Sequence, residues 1–196
     1  MKKSLETLPE VAGGLKRILV EASIELLTEP REVKLPTMRE IAKRAGVAPG
    51  AAYRHFESQL ALFLAVVASL FDRLENSLSK AAALEVSPGG VVRGLAHAYV
   101  RWGIENPGAY QLLLETTDNP DFLEQGERPG LHLIEQLAVL LADHSKTPTP
   151  KFEEATRTWV YLHGLISLRT HKTGMTWTTD VETEVNRFID LMLSES

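Results

Sequence analysis

Apolar residues recur at three- and four-residue intervals along almost all of this 196-residue chain, and no segment alternates convincingly at period two. Such a pattern gives each segment one apolar stripe when it is wound into a helix, and those stripes can be buried only by packing helix against helix. The expected fold class is therefore all-α, with about nine helices.

Local signals divide the pattern. Leu15, Ile18, Leu19, Ala22 and Leu26 form a first stripe, which Glu29-Pro30-Arg31-Glu32 interrupts because proline cannot continue the hydrogen-bond ladder. Thr37, with Glu40 three residues on, is a capping box for a short helix (Met38, Ile41, Ala42, Ala45) that stops at Gly46. Pro49 suits the first turn of a third helix, expected to run to about Phe56. Ser58 starts a long helix through Leu62, Val66, Leu70, Leu74 and Leu78 towards Ala83. Further helices are expected from Ser87-Pro88 to Glu105, from Ala109 to Thr116, from Leu131 to Asp143, from Phe152 to His171 and from Val181 to Leu193. Lys146-Thr-Pro-Thr-Pro reads as a linker.

A hydrophobic share of 44% with 24% charged residues is enough for a buried core, so disorder is not expected. The chain has no cysteine, which excludes disulfides, thiolate metal sites and cysteine nucleophiles. Its first residues, MKKSLETLPEVAGGLKR, lack the apolar run of a signal peptide. The longest uncharged stretch, Ser58 to Phe71, is only 14 residues and too short to span a bilayer. A cytoplasmic protein without membrane association is the expectation.

The formal net charge of −5 is unevenly distributed. Residues 1–56 carry ten Lys and Arg against seven Glu, a balance of +3, while the remainder carries eleven basic and nineteen acidic residues, a balance of −8. The basic end contains the most informative stretch, Pro36 to Leu64: PTMREIAKRAGVAPGAAYRHFESQLALFL. It reads as a short amphipathic helix, a tight turn at Ala45-Gly46-Val47 and a second short helix, with Ile41, Ala45, Val47 and Phe56 spaced to make a small core. The second helix then offers solvent Pro49, Gly50, Ala51, Tyr53, Arg54 and His55. A helix-turn-helix sets the N-terminal residues of such a helix against base edges in the major groove, while polar side chains around it hold phosphates.

Thr37-Met-Arg-Glu-Ile-Ala, Ala45-Gly-Val, Pro49-Gly and Tyr53-Arg-His-Phe56, followed by Ser58 and Leu62, resemble the TetR family of bacterial regulators. The resemblance covers residues 12 to about 70. It implies that Thr37 contacts phosphate, that Arg39 reaches a base and that Pro49, Gly50 and Ala51 face the groove floor. It also implies phosphate contacts for Tyr53 and His55, with Arg54 between them. Two departures stand out: Gln59 occupies the place of a customary phosphate-binding lysine, and Ala51 and Ala52 replace a Thr or Ser and a Leu. Base readout by side chains is then sparse, leaving Arg39, close backbone approach and DNA shape to supply specificity.

Beyond the motif, Trp159-Val-Tyr-Leu-His163-Gly164, together with Tyr99-Val-Arg-Trp102, Asn106-Pro107 and Tyr110, resembles the Trp-His-Gly class of C-terminal domain in the same family. The domain division that follows is 1–57, a three-helix DNA-binding domain leading into the long helix from Ser58, and 58–196, a larger helical bundle for ligand binding and dimerisation. Tyr99, Trp102, Tyr110, Phe122, Trp159 and His163 are the candidate ligand residues, since pockets combine aromatic walls with a few polar groups. Gly164, Ser167, His171, Val185, Phe188 and Met192 are the candidates for a homodimer interface built, as in the family, from the last two helices.

The function so implied is a dimeric repressor that binds a palindromic operator in double-stranded DNA and is released by a small-molecule effector. No cofactor or metal is expected: the six histidines make no i, i+4 pair, and a zinc site without cysteine would need carboxylates from elsewhere. Catalysis is not expected either, because the chain contains no Gly-x-Ser-x-Gly elbow, P-loop or Gly-x-Gly-x-x-Gly after a strand. The alternative is a helical regulator that works through protein contacts, with DNA binding weakened or lost, and Gln59 and the alanines keep that reading open.

Overall fold

The computed structural model describes residues 14–27, 36–114 and 130–194, and every regular element among them is an α-helix. The elements are α1 (Gly14–Leu26), α2 (Met38–Arg44), α3 (Pro49–Tyr53), α4 (Gln59–Ala82), α5 (Pro88–Glu105), α6 (Pro107–Leu114), α7 (Leu131–Ser145), α8 (Phe152–His171) and α9 (Val181–Ser194). They form two units that divide within α4, between Val66 and Val67.

In the first unit α1 packs on α2 and α3, and α2 packs on α3. The buried face of α1 is Leu19, Val20, Ala22 and Ser23, continued by Leu27. Ile18 and Leu26, expected in the stripe, are 45% and 41% exposed. The stripe is turned so that Ser23 goes inside, and burial costs it little because its hydroxyl donates to the Leu19 carbonyl at 2.7 Å.

Helix α2 is set at both ends by local chemistry. The Glu40 amide donates to Thr37 Oγ1 at 3.3 Å, while the Thr37 amide and hydroxyl both donate to Glu40 Oε2 at 2.7 Å, completing the capping box. At its C-terminus the Gly46 amide donates to the Lys43 carbonyl and the Val47 amide to Ala42, with Gly46 at φ +72°. This is a Schellman motif, and glycine relieves the Cβ strain that any other residue would meet there. Met38, Ile41, Ala42, Ala52 and Phe56 form the small core. Ala45 and Val47, expected inside it, are only half-buried, because the turn carries them to its edge.

In the second unit α5 is the central helix and packs on α6, α7, α8 and α9. Ser87 caps it through the Gly90 amide at 3.1 Å, with Pro88 at its first position. Close approach to α8 depends on Gly103: a Cβ there would lie 2.8 Å from Ile166 Cγ2 and 2.9 Å from Tyr110 Cδ2. The step between α5 and α6 is held by Asn106, whose side-chain amide and backbone amide both donate to the Trp102 carbonyl. Arg169 at the end of α8 stacks over Trp177, 4.1 Å from the ring centre, and donates to the Thr179 carbonyl. Asp180 caps α9 through the amide and hydroxyl of Thr183, and the amide bond is the main reason its carboxyl is held below the usual carboxylate value. No helix among the described residues is long and apolar enough to cross a membrane.

Candidate functional site

In the first unit the chemistry-bearing side chains lie outside the small core. Arg39, Pro49, Gly50, Arg54 and His55 are exposed, Tyr53 is 56% exposed and Ala51 is half-buried. Helix α3 ends at Tyr53, earlier than expected, and Arg54 and His55 continue as a turn whose His55 and Phe56 amides converge on the Ala52 carbonyl. Buried Ala52 and Phe56 alternate with the exposed Tyr-Arg-His run, so the core anchors one side of the segment while the other offers hydrogen-bond donors. An exposed aromatic of this size with no core role is the unusual feature, since large apolar bodies are normally buried.

Two residues make contacts that bear on the roles the resemblance implies for their positions. The Thr37 hydroxyl proton points at Glu40, so a phosphate contact by this residue would have to compete with its own capping box. Gln59 Nε2 donates to the Pro36 carbonyl at 3.1 Å, tying the first residue of α4 to the segment that leads into α2. Where a lysine would present a free charge, this glutamine braces the backbone.

The second unit contains a cavity of about 410 Å³ among α4, α5, α7 and α8. Tyr99 and Trp159 line it, but Trp102, Tyr110 and His163 do not. Trp102 is buried away from it in α5. Tyr110 and His163 stand behind the wall, and Phe122 lies outside the described residues. The four aromatic and imidazole groups are nonetheless connected. The Trp159 indole donates to the Tyr99 hydroxyl at 3.1 Å, the Tyr99 and Tyr110 hydroxyls are 3.1 Å apart, and Tyr110 Oη is 2.7 Å from His163 Nδ1. An indole N–H only donates, so Tyr99 accepts from it. Burial pushes the Tyr99 phenol up to about 12, against the opposing pull of its bonds to Tyr110 and Trp159, so it stays protonated at neutral pH.

Most of the cavity wall is aliphatic and was missed in the sequence: Leu74 and Leu78 from α4, Leu95 from α5, Leu137 and Leu140 from α7, Leu162 from α8. A leucine beside a void and a leucine against another leucine occupy the same place in a helical stripe, so periodicity carries no signal for the difference. Glu75 and His132 also line the cavity and were not expected there. His132 Nε2 is 2.9 Å from Glu75 Oε1, and both side chains are nearly half exposed, which sets the pair at the mouth.

The interface candidates separate into two groups. Val185 is fully buried within its own chain, as is Ile189, so the expectation that Val185 faces a second copy is corrected: this stripe of α9 packs inward on the α5 and α8 side. Phe188 and Met192 are half-buried, and Phe188 stacks on Tyr161 at 3.9 Å between ring centres. Gly164 has open space above it, with nothing within 4 Å of where a Cβ would sit. On either side of it along α8, Val160 and Leu168 are 58% and 47% exposed, and Leu191 on α9 is 58% exposed. Ser167 is half-buried and bonds His171 Nδ1 at 3.3 Å, while exposed His171 also meets Gln111. Val160, Leu168 and Leu191 are thus apolar side chains of α8 and α9 open to solvent, and the sequence does not single them out.

Comparison with known proteins agrees with this architecture. Residues 36–66 match the model for bacterial regulatory proteins of the tetR family, and residues 92–192 match the model for tetracyclin repressor-like C-terminal domains. A protein of unknown function from Rhodococcus sp. RHA1 superposes with a TM-score of 0.79 at 22% identity, over 96% of this chain and 98% of its own. A TetR-like transcriptional regulator from the same organism gives 0.70 at 19% identity, over 96% and 95%. The fatty acid degradation regulator FadR from Bacillus halodurans gives 0.71 at 14% identity, over 94% and 97%. At these identities the likeness is one of fold.

Proposed function

Because this chain belongs to the TetR family of bacterial regulatory proteins, we propose that it is a dimeric, sequence-specific DNA-binding repressor, released from its operator by a small molecule in the cavity of the second unit. The observation that carries the reading is the exposed Tyr53-Arg54-His55 run with Arg39, presented by a helix-turn-helix whose ends are fixed by a capping box and a Schellman turn. Arg54, Tyr53 and His55 contact phosphates, and Arg39 reaches a base edge. The small residues Pro49, Gly50 and Ala51 let the backbone approach the groove floor. With so few side chains reading bases, part of the specificity comes from DNA shape and deformability.

The open apolar face of α8 and α9 supports dimerisation. Val160 and Leu168 flank Gly164 at four-residue spacing, so a partner helix could lie close along this stripe and also cover Leu191. Two copies would then present recognition helices to half-sites about 34–36 Å apart, which calls for a palindromic operator. The cavity size falls in the usual range of about 300–1,000 Å³ for small-molecule sites. An effector there acts only to the extent that it binds the DNA-releasing conformation more tightly than the DNA-bound one.

The test is selection from a pool of random duplex DNA at near-physiological salt, with sequencing of the bound fraction. Enrichment of a palindromic site is expected. No enrichment from protein shown to be folded and dimeric would sink the reading and move the weight to a regulator that works through protein contacts.

A further inference from the structure

The cavity has a distinctive balance of charge. Among the described residues that line it there is no Lys and no Arg, Glu75 is the only carboxylate, and His132 is the only histidine. The two are already paired at the mouth. Deeper in, the polar groups are engaged within the protein: the Thr158 hydroxyl donates to the Glu154 carbonyl at 2.8 Å, and the Tyr99 hydroxyl is held between Trp159 and Tyr110. Around them the wall is mainly leucine, isoleucine, valine and alanine, and Ser79 and Gln136 are its other uncharged polar side chains.

We propose that the cavity takes an uncharged, predominantly apolar molecule, and that Glu75, held by His132 at the mouth, turns anionic molecules away; this rests on the reading of the cavity as the effector site. A carboxylate or phosphate entering it would lose its water and find no guanidinium or ammonium among the described lining residues, and it would pass the Glu75 carboxylate on the way. An organic cation fares little better. Its only counter-charge among the described lining residues is Glu75, whose oxygen already accepts from His132 and whose charge is screened by solvent at the mouth. An apolar body with an uncharged polar end gains the burial of its surface and leaves every hydrogen bond of the wall intact. Glu75 is on this account a specificity-determining residue, acting by repulsion rather than contact.

The experiment uses the full-length protein and three probes of equal chain length, decanol, decanoate and decyltrimethylammonium, each below micelle formation. Binding is followed by intrinsic tryptophan fluorescence, to which the cavity-lining Trp159 contributes, and by calorimetry, and release of the selected operator duplex is measured in parallel. Decanol is expected to bind with a Kd at least about tenfold below those of decanoate and decyltrimethylammonium, and to release the DNA. Glu75→Gln should narrow the gap between decanol and decanoate severalfold, and Glu75→Lys should narrow it further. Decanoate or the ammonium binding as tightly as decanol, or a Glu75→Gln protein with the wild-type gap, would overturn the proposal. If either charged probe binds tightly and releases DNA, the uncharged class fails while the effector reading stands. If none of the three binds, both fail.

Discussion

The helix-turn-helix and the unit that holds the cavity are built by different means. Around Gly46 the structure is specified by neighbours in sequence: Thr37 and Glu40 cap α2, the Gly46 and Val47 amides close it, and Ser58 Oγ accepts from the Ala61 amide at the start of α4. In the second unit the decisive contacts join residues far apart in the chain. Gly103 admits Ile166, Tyr99 meets Trp159, and Glu75 meets His132. A unit fixed by local bonds leaves its outer face free to carry recognition chemistry. A unit fixed by long-range packing can leave a void, because helices joined by rigid side chains do not close perfectly.

The sharpest way to break this contrast is to place a carboxylate on each face of α9. Val185→Asp buries an unpaired charge and should cost on the order of 4 kcal/mol, read as loss of the cooperative thermal transition. Leu191→Asp, on the exposed face, should leave the melting temperature of the protomer near wild type and shift the protein towards monomer in sedimentation velocity. Equal effects at the two positions would refute the assignment of the faces.

Gly103→Ala comes next. With Ile166 and Tyr110 each under 3 Å from the new methyl, a loss of about 1–3 kcal/mol is expected in urea denaturation. Unchanged stability would mean that α5 and α8 can separate freely. In the first unit Thr37→Ala removes the capping box and should cost about 1 kcal/mol. DNA affinity should fall no further than that destabilisation explains, because the hydroxyl proton already serves Glu40; a much larger loss in a gel-shift titration would assign Thr37 a phosphate contact as well.

The smallest effect is the most specific. Gln59→Lys exchanges a backbone brace for a charge, and it should steepen the dependence of log affinity on log salt by about 0.9 for one added phosphate contact. Stability should drop slightly with loss of the bond to Pro36. An unaltered salt slope would place position 59 away from the DNA.

Much of this could be read from the chain. The caps at Thr37, Ser58 and Ser87 and the turn at Gly46 are recorded in a few adjacent residues, and the all-helical class follows from spacing alone. The exposed Tyr53-Arg54-His55 run was legible for the same reason: its anchors, Ala52 and Phe56, are its neighbours. Legibility failed where a residue's fate depends on a distant partner. Ile18 and Val185 belong to good apolar stripes, yet one emerges into solvent and the other vanishes into the core, because a stripe fixes which residues share a face and leaves open how that face is turned.

The sequence by itself determined the all-helical class, the capped starts of α2, α4 and α5 and the turn at Gly46, since each rests on hydrogen bonds and spacing within a few residues. Only the tertiary structure decided which leucines line a cavity, that Glu75 and His132 pair at its mouth, and that Val160, Leu168 and Leu191 rather than Val185 face outward. Those outcomes depend on how whole helices are rotated and spaced against one another. That geometry comes from summed packing over many distant residues, and no short stretch of the chain encodes it.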